Sequence, residues 1–316
     1  MHVKTIWVYG VGGVGGLIGG KIARSLGKER GADTAIYFIA RGEHLRQIQT
    51  SGLILNMGDE KGIICTPTLA TDNPGTLEAP DLCFVCVKSY DLEGVSRSLA
   101  KAIREETVLI PLLNGVNICE RIRKIVQKGI VLPACIYVGT HIEKPGVVTQ
   151  RGGEGRMLLG QDPMHPDFYP DEILQLLQRA HIPFQWFEDV SPSIWEKYLF
   201  IAAFGLVTAA YGKTLGEIAS DAELMILASG IMKEVFLIAK KKQIALPPDV
   251  VNASIAKANN FPYETKTSYQ RDLEEHGKQN EGDLFGATIM SMGRDLGVPT
   301  PIAESVYNKI LGKISR

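Results

Sequence analysis

The stretch TIWVYGVGGVGG, residues 5–16, decides the fold. Its first five residues form an apolar run that reads as a buried strand, and the glycines that follow read as a turn opening into a helix. Gly10, Gly12 and Gly15 satisfy the spacing G-x-G-x-x-G. After a strand and before a helix, each glycine has a physical task. The first allows the tight turn, the second lets backbone approach a pyrophosphate, and the third lets helix and strand pack closely. The N–H groups that open the helix then offer partial positive charge to phosphate. The stretch predicts a dinucleotide cradle made of Gly10, Gly12, Gly13, Val14 and Gly15.

Working outward, strand-like segments recur at 5–10, 35–40, 53–57, 63–69, 81–87, 108–113 and 130–137, with helical patterns between several of them, as at 14–27 and 93–104. Short, continuously apolar strands alternating with helices predict a parallel sheet covered on both faces. Segments 147–151 and 156–160, split by GGEG, read as a hairpin, and 183–189 as a last strand. The pattern then changes at SPSIWEK. Ser191 with Pro192, or Ser193 with Glu196, can start a helix. Helical periods follow at 193–211, 214–242, 247–258, 264–276, 281–296 and 301–314. The expected fold is α/β: an N-terminal Rossmann-type parallel-sheet domain over 1–189, then an all-helical substrate and catalytic domain over 190–316.

Composition narrows the function. The chain has 316 residues, 45% hydrophobic and 22% charged, with a formal net charge of −1. No basic surface for nucleic acid is expected. Cys65, Cys83, Cys86, Cys119 and Cys135 make an odd count in apolar runs and read as reduced, buried thiols. Cys83 and Cys86 would face opposite sides of a strand, and the six histidines show no ligand spacing, so no metal is expected. The N-terminus lacks a signal-peptide pattern. The longest apolar run, 198–211, has 14 residues. It is shorter than the ~20 needed to span a bilayer. The expectation is a soluble cytoplasmic protein with no membrane partner; a homodimer stays open.

Further residues bear on chemistry. The second strand ends at Arg41 rather than at Asp or Glu. Arginine can clamp a 2′-phosphate but cannot accept a bond from a ribose hydroxyl, which favours NADP(H) over NAD. Arg46 is a weaker second cation. VKSYD places Lys88, and LIPLLNGV places Asn114 and Gly115, at strand C-termini, where open α/β sheets bind ligands. Asn114 offers both a donor and an acceptor. Lys197 lies one turn into an apolar helix, where burial and the helix's positive end both disfavour the ammonium, a setting suited to proton donation. Ser268 offers a hydroxyl, and Glu281 falls in a first helical turn that Asn280 can cap. Gly282 and Gly286 share a face on which something packs closely.

Taken together, GVGGVG, Arg41, VKSYD, LLNGVN, EDVSPSIWEKYL, TSYQRDLE and NEGDLFGA ahead of GVPTPI resemble the ketopantoate reductase (2-dehydropantoate 2-reductase) family over essentially the whole chain. The resemblance implies NADPH-dependent reduction of ketopantoate to pantoate in pantothenate synthesis. It implies Lys197 as the general acid, and Glu281 as acceptor of the substrate hydroxyl and support for Lys197. It further implies Asn114 on nicotinamide and substrate, Ser268 on the substrate carboxylate, and Lys88 on the cofactor ribose. Ile201 and Gly205 stand where the family has substrate-binding asparagines. Two other readings stay open: a reductase of the same architecture for another 2-oxo or 3-oxo acid, and an NADP(H)-binding regulatory protein without turnover.

Overall fold

The computed structural model describes residues 2–27, 33–275 and 279–314. The last residue of the helix expected at 264–276 lies outside them. The chain divides into two compact units: Met1–Leu113 with Asn117–Val190, and Ser191–Arg316 with Asn114–Val116.

The first unit runs β1 (Thr5–Tyr9), α1 (Gly13–Leu26), β2 (Ala35–Ile39), α2 (Gly42–Ser51), β3 (Leu53–Met57), β4 (Glu60–Cys65), β5 (Leu69–Thr71), β6 (Leu82–Val85), α3 (Leu92–Ala102), β7 (Val108–Pro111), α4 (Ile118–Arg123), β8 (Ile130–Val131), β9 (Ala134–Lys144), β10 (Val147–Gly160), α5 (Asp171–Arg179) and β11 (Phe184–Phe187). Six strands form a wholly parallel sheet in the order β5-β2-β1-β6-β7-β8. Renumbered along the chain this is 3-2-1-4-5-6, the doubly wound order whose direction reverses between β1 and β6. Ile6, Val8, Phe38, Phe84, Val108 and Ile110 are buried in its core.

A second sheet, β11-β10-β3-β4 with β9 beside β10, was not anticipated. Prolines and glycines explain the departures. The strand expected at 63–69 is cut at Pro67: β4 stays in the second sheet and β5 joins the first. Pro133 likewise divides the segment at 130–137 into β8 and β9. GGEG does not turn a hairpin. It lies within β10, which pairs antiparallel with β9 and shifts register between Gln150 and Gly152 and again before Arg156. Gly153 and Gly155 take positive φ there, so the glycines bulge a continuous strand.

Asp162, 3% exposed, secures the end of this unit. It accepts the Val131 and Met164 N–H groups at 2.9 and 3.0 Å, meets His165 Nδ1 at 2.8 Å and pairs with Arg123. Burial alone would raise its pKa; the bonds from Val131, His165 and Met164 and the Arg123 charge hold it below the usual carboxylate range. A depressed folded pKa means this contribution is complete above the unfolded carboxylate pKa and fades as pH falls through the folded one. Asp162→Ala should cost about 3–5 kcal/mol in denaturant unfolding near neutral pH, because the half-buried Arg123 loses its counter-charge and the Val131 and Met164 amides lose their acceptor. The gap from wild type should narrow in acid.

The second unit contains α6 (Ser191–Tyr211), α7 (Leu215–Ala219), α8 (Ala222–Lys241), α9 (Val250–Ala258), α10 (Ser268–Glu274), α11 (Thr288–Leu296) and α12 (Pro301–Ile314). α6 is the axis, packed by α8, α10 and α12. It starts at Ser191 with Pro192 in its first turn, so Ser193 already lies inside the helix. By length and composition α6 could cross a membrane, yet two thirds of its most apolar window (67%) is buried within the structure. The helix expected at 214–242 is broken where Asp221 accepts the Glu223 and Leu224 N–H groups at 3.0 and 3.1 Å and starts α8.

Candidate functional site

Around β1 and β6 the first unit holds a cavity of about 420 Å³ whose walls include Gly10, Gly12, Arg41, His44, Lys88 and Asp91. The glycine loop is shaped as its sequence requires. Gly10 has φ +92°, and a Cβ there would lie 2.9 Å from the Cys86 carbonyl oxygen. A Cβ on Gly15 would come within 2.0 Å of the Gly10 carbonyl oxygen, which only glycine avoids. Gly13 is similarly crowded by Thr140, at 2.6 Å. A Cβ on Gly12 would meet nothing within 4 Å: this position faces open space. Gly12 is also the N-cap of α1, with no side-chain cap and no acidic residue in the first turn. Bare helical N–H groups and a glycine opening toward them fit a pyrophosphate. Val14 lies in that first turn.

Arg41 leads from β2 into α2 as its N-cap residue, and its guanidinium binds Asp91 with both terminal nitrogens, at 2.7 and 3.4 Å. Lys88 is half-buried on the same cavity, at the N-cap of a short 3-10 turn, Ser89–Asp91. Arg46 pairs with Glu43 at 2.8 Å and is not part of the cavity lining. The cavity lining also holds titratable residues that the sequence reading missed, His44, Asp72 and Asp91 among them. Asp91 closes VKSYD, a motif read only for its lysine. His44 lies three residues after Arg41, so both occupy the start of one helix; this spacing was the available signal. His44 Nδ1 accepts the Gly146 N–H at 3.0 Å, which leaves the ring proton on Nε2. Burial lowers the His44 pKa, consistent with a neutral ring.

The other predicted residues lie in the second unit. Lys197 is half-buried while its neighbour Glu196 faces water. Lys197 Nζ donates to Asn114 Oδ1 at 2.9 Å. Asn114 and Lys197 are 83 positions apart, and the fold brings them into direct contact.

Next along α6, the Tyr198 hydroxyl donates to the Leu284 carbonyl at 2.6 Å and faces that of Phe285 at 3.4 Å. Those carbonyls belong to one π-helical turn, Asp283–Ala287, ahead of α11. Widened turns leave carbonyls without their usual intrahelical amide, and a hydroxyl is one way to satisfy them. Glu281, 6% exposed, lies two residues ahead of this turn. The segments carrying Lys197 and Glu281 are thus tied together one residue beyond Lys197 and three beyond Glu281. Asn280 accepts the Gly282 N–H at 3.0 Å, a local turn rather than the expected cap of a regular helix. Tight packing at the two glycines comes from tyrosines: a Cβ on Gly282 would meet Tyr269 Oη at 2.6 Å, and one on Gly286 the Tyr307 ring at 2.2 Å.

Ser268 opens α10 and is exposed. Its neighbour Thr267 meets Thr208 of α6 at 2.8 Å, and Tyr269 packs over Gly205. Gly205 is eight residues beyond Lys197, on the order of 12 Å along the helix.

All five cysteines are free thiols. Burial raises Cys65 to about 11 and Cys119 to about 12, and raises Cys83 and Cys86 as well, which keeps them protonated and unreactive. Among the described residues no group of three or more His, Cys, Asp or Glu side chains is placed to hold a metal.

A doubly wound sheet with a bare glycine loop at its reversal point, followed by a helical unit, defines the class of nicotinamide-dependent oxidoreductases. Known proteins refine the class. The family model Ketopantoate reductase PanE/ApbA matches residues 6–163, and its companion, Ketopantoate reductase PanE/ApbA C terminal, matches residues 189–313. The chain belongs to the ketopantoate reductase family. It is 26% identical over 308 residues to the uncharacterized oxidoreductase YkpB of Bacillus subtilis strain 168, covering 95% of both chains. Its fold is similar to that of a PanE/ApbA family ketopantoate reductase from Ralstonia eutropha JMP134, with TM-score 0.87 and 24% identity over 99% of this chain and 100% of that one. It is similar also to D-mandelate dehydrogenase solved with NADH and anilino(oxo)acetate, with TM-score 0.86 and 19% identity over 99% of each chain.

Proposed function

We propose that the protein is an NADPH-dependent 2-oxo acid reductase that transfers hydride to the C2 ketone, and that ketopantoate, reduced to pantoate in pantothenate synthesis, is its reference substrate. The observation that carries the reading is the Lys197–Asn114 hydrogen bond of 2.9 Å. An ammonium held by an acceptor on one side is oriented to give a proton on another.

The cradle Gly10, Gly12, Gly13, Val14 and Gly15 would take the pyrophosphate, Arg41 the 2′-phosphate, and Lys88 the ribose. Bound NADPH supplies the hydride. As charge develops on the ketone oxygen, Lys197 stabilises it and then protonates it. Asn114 fixes Lys197 and offers an amide to the nicotinamide or the substrate. Glu281 takes the substrate hydroxyl and supports Lys197, and Ser268 receives the carboxylate. We place the enzyme in the cytoplasm.

A second reading concerns the substrate side chain. From Tyr198 to Ala210 every residue of α6 is buried except Ile201, which is half-buried one turn beyond Lys197. Its aliphatic side chain can make no hydrogen bond, which favours a 2-oxo acid whose group next to the ketone is apolar. NADPH oxidation with purified protein, measured against ketopantoate and against 2-oxo acids with branched or aromatic side chains, tests both readings. Turnover of at least one 2-oxo acid is expected. An advantage in kcat/KM for the purely apolar acids over ketopantoate would select the second reading. NADPH binding without turnover of any member would replace both by a cofactor-binding protein.

A further inference from the structure

We propose that Asp91 sets how strongly the site prefers the phosphorylated dinucleotide, by competing with the cofactor's 2′-phosphate for Arg41. The inference rests on the reading of the cavity as a nicotinamide dinucleotide site.

Asp91 ends the short Ser89–Asp91 turn and directly precedes α3, a position from which an aspartate can accept an amide N–H of the first turn, though its backbone here is already helical. This one makes no such bond. Its two oxygens take the Arg41 fork instead, at 2.7 and 3.4 Å. Both residues line the same cavity. The geometry with which Arg41 would grip a phosphate is therefore already engaged by a carboxylate. The pair is open to water, with side-chain exposures of 75% for Arg41 and 26% for Asp91, so it is weak enough to exchange.

The two nicotinamide cofactors meet this arrangement differently. A 2′-phosphate on Arg41 must displace Asp91 and then sits near a like charge, to which Asp72 on the cavity wall adds. Lys88 on that wall carries the opposite sign and offsets part of the repulsion. A 2′-hydroxyl displaces nothing: it donates to Asp91 while the ion pair stays intact. Asp91 thus lowers the advantage of NADPH over NADH that Arg41 alone would give.

Asp91→Asn is the informative variant. Asparagine caps helices about as well as aspartate, but it carries no charge to hold Arg41 or repel phosphate. Dissociation constants for NADPH and NADH are read by fluorescence titration of the full chain. NADPH should bind about threefold to tenfold tighter and NADH about threefold weaker, shifting their ratio by about an order of magnitude. In an Arg41→Ala background the gain for NADPH should shrink to the part that comes from relieving repulsion, since no guanidinium is left to compete for; a role confined to helix capping would leave it unchanged. A ratio within about twofold of wild type, or a gain undiminished without Arg41, overturns the proposal and leaves the cavity assignment standing. A wild-type chain that binds neither dinucleotide overturns both.

Discussion

Replacing Lys197 by alanine is expected to lower kcat by about 10²–10⁴-fold, the range associated with a positioned proton donor. NADPH affinity should stay within about threefold, since the glycine loop and Arg41 carry the cofactor's phosphates. The split matters more than the loss. If Lys197 only buried its aliphatic stem, the variant would lose thermal stability with kcat nearly intact. The half-buried Nζ donates to Asn114 Oδ1 at 2.9 Å, so removing it also frees Asn114 to turn. Part of the kcat loss would come from that reorientation, and Asn114→Ala alone should reproduce a fraction of it. Steady-state kinetics beside a cofactor titration separates the outcomes; unchanged turnover in Lys197→Ala would remove the proton-donor assignment.

Arg41→Ala carries the second large effect. A charge-assisted hydrogen bond is worth about 1.5–3 kcal/mol, so NADPH should bind about 10- to 150-fold more weakly. NADH, with no 2′-phosphate, should change by less than about threefold. Without its partner, Asp91 would also face the phosphate unshielded, which adds to the loss for NADPH alone. Equal weakening of both cofactors would mean that Arg41 holds the loop rather than the phosphate.

The parts of the fold that were legible in the sequence are those where one local rule dominates. The glycine loop, Arg41 after β2 and the long apolar α6 each follow from spacing or composition. The second sheet was not legible. β3 and β4 read like any strands; the long-range pairing of β3 with β10 assigns it elsewhere, and β4 follows as its antiparallel neighbour. Pro67 and Pro133, which send β5 and β9 to different sheets from their neighbours, are visible but do not name the destination.

The candidate site divides in the same way. Lys197 and Asn114 could be named singly from strand ends and helix starts, whereas their hydrogen bond depends on tertiary packing. Asp91 escaped notice because an aspartate ahead of a helix is expected to cap it. The structure sends its side chain to Arg41, a partner 50 positions away. The π turn after Glu281 was read as regular helix, since nothing in DLFGA marks a widened turn. Its satisfaction by Tyr198 exists only once α6 is packed.

The account turns on hydride passing from a nicotinamide to a ketone carbon on this chain. The most direct measurement supplies NADPH carrying deuterium on the transferable face of its nicotinamide ring, together with the best 2-oxo acid. The product is then read by mass spectrometry and NMR. The account predicts one deuterium per turnover, at C2 of the 2-hydroxy acid, with the hydroxyl proton drawn from solvent. A product without label at C2, or labelled cofactor recovered unoxidised with every 2-oxo acid supplied, would contradict it.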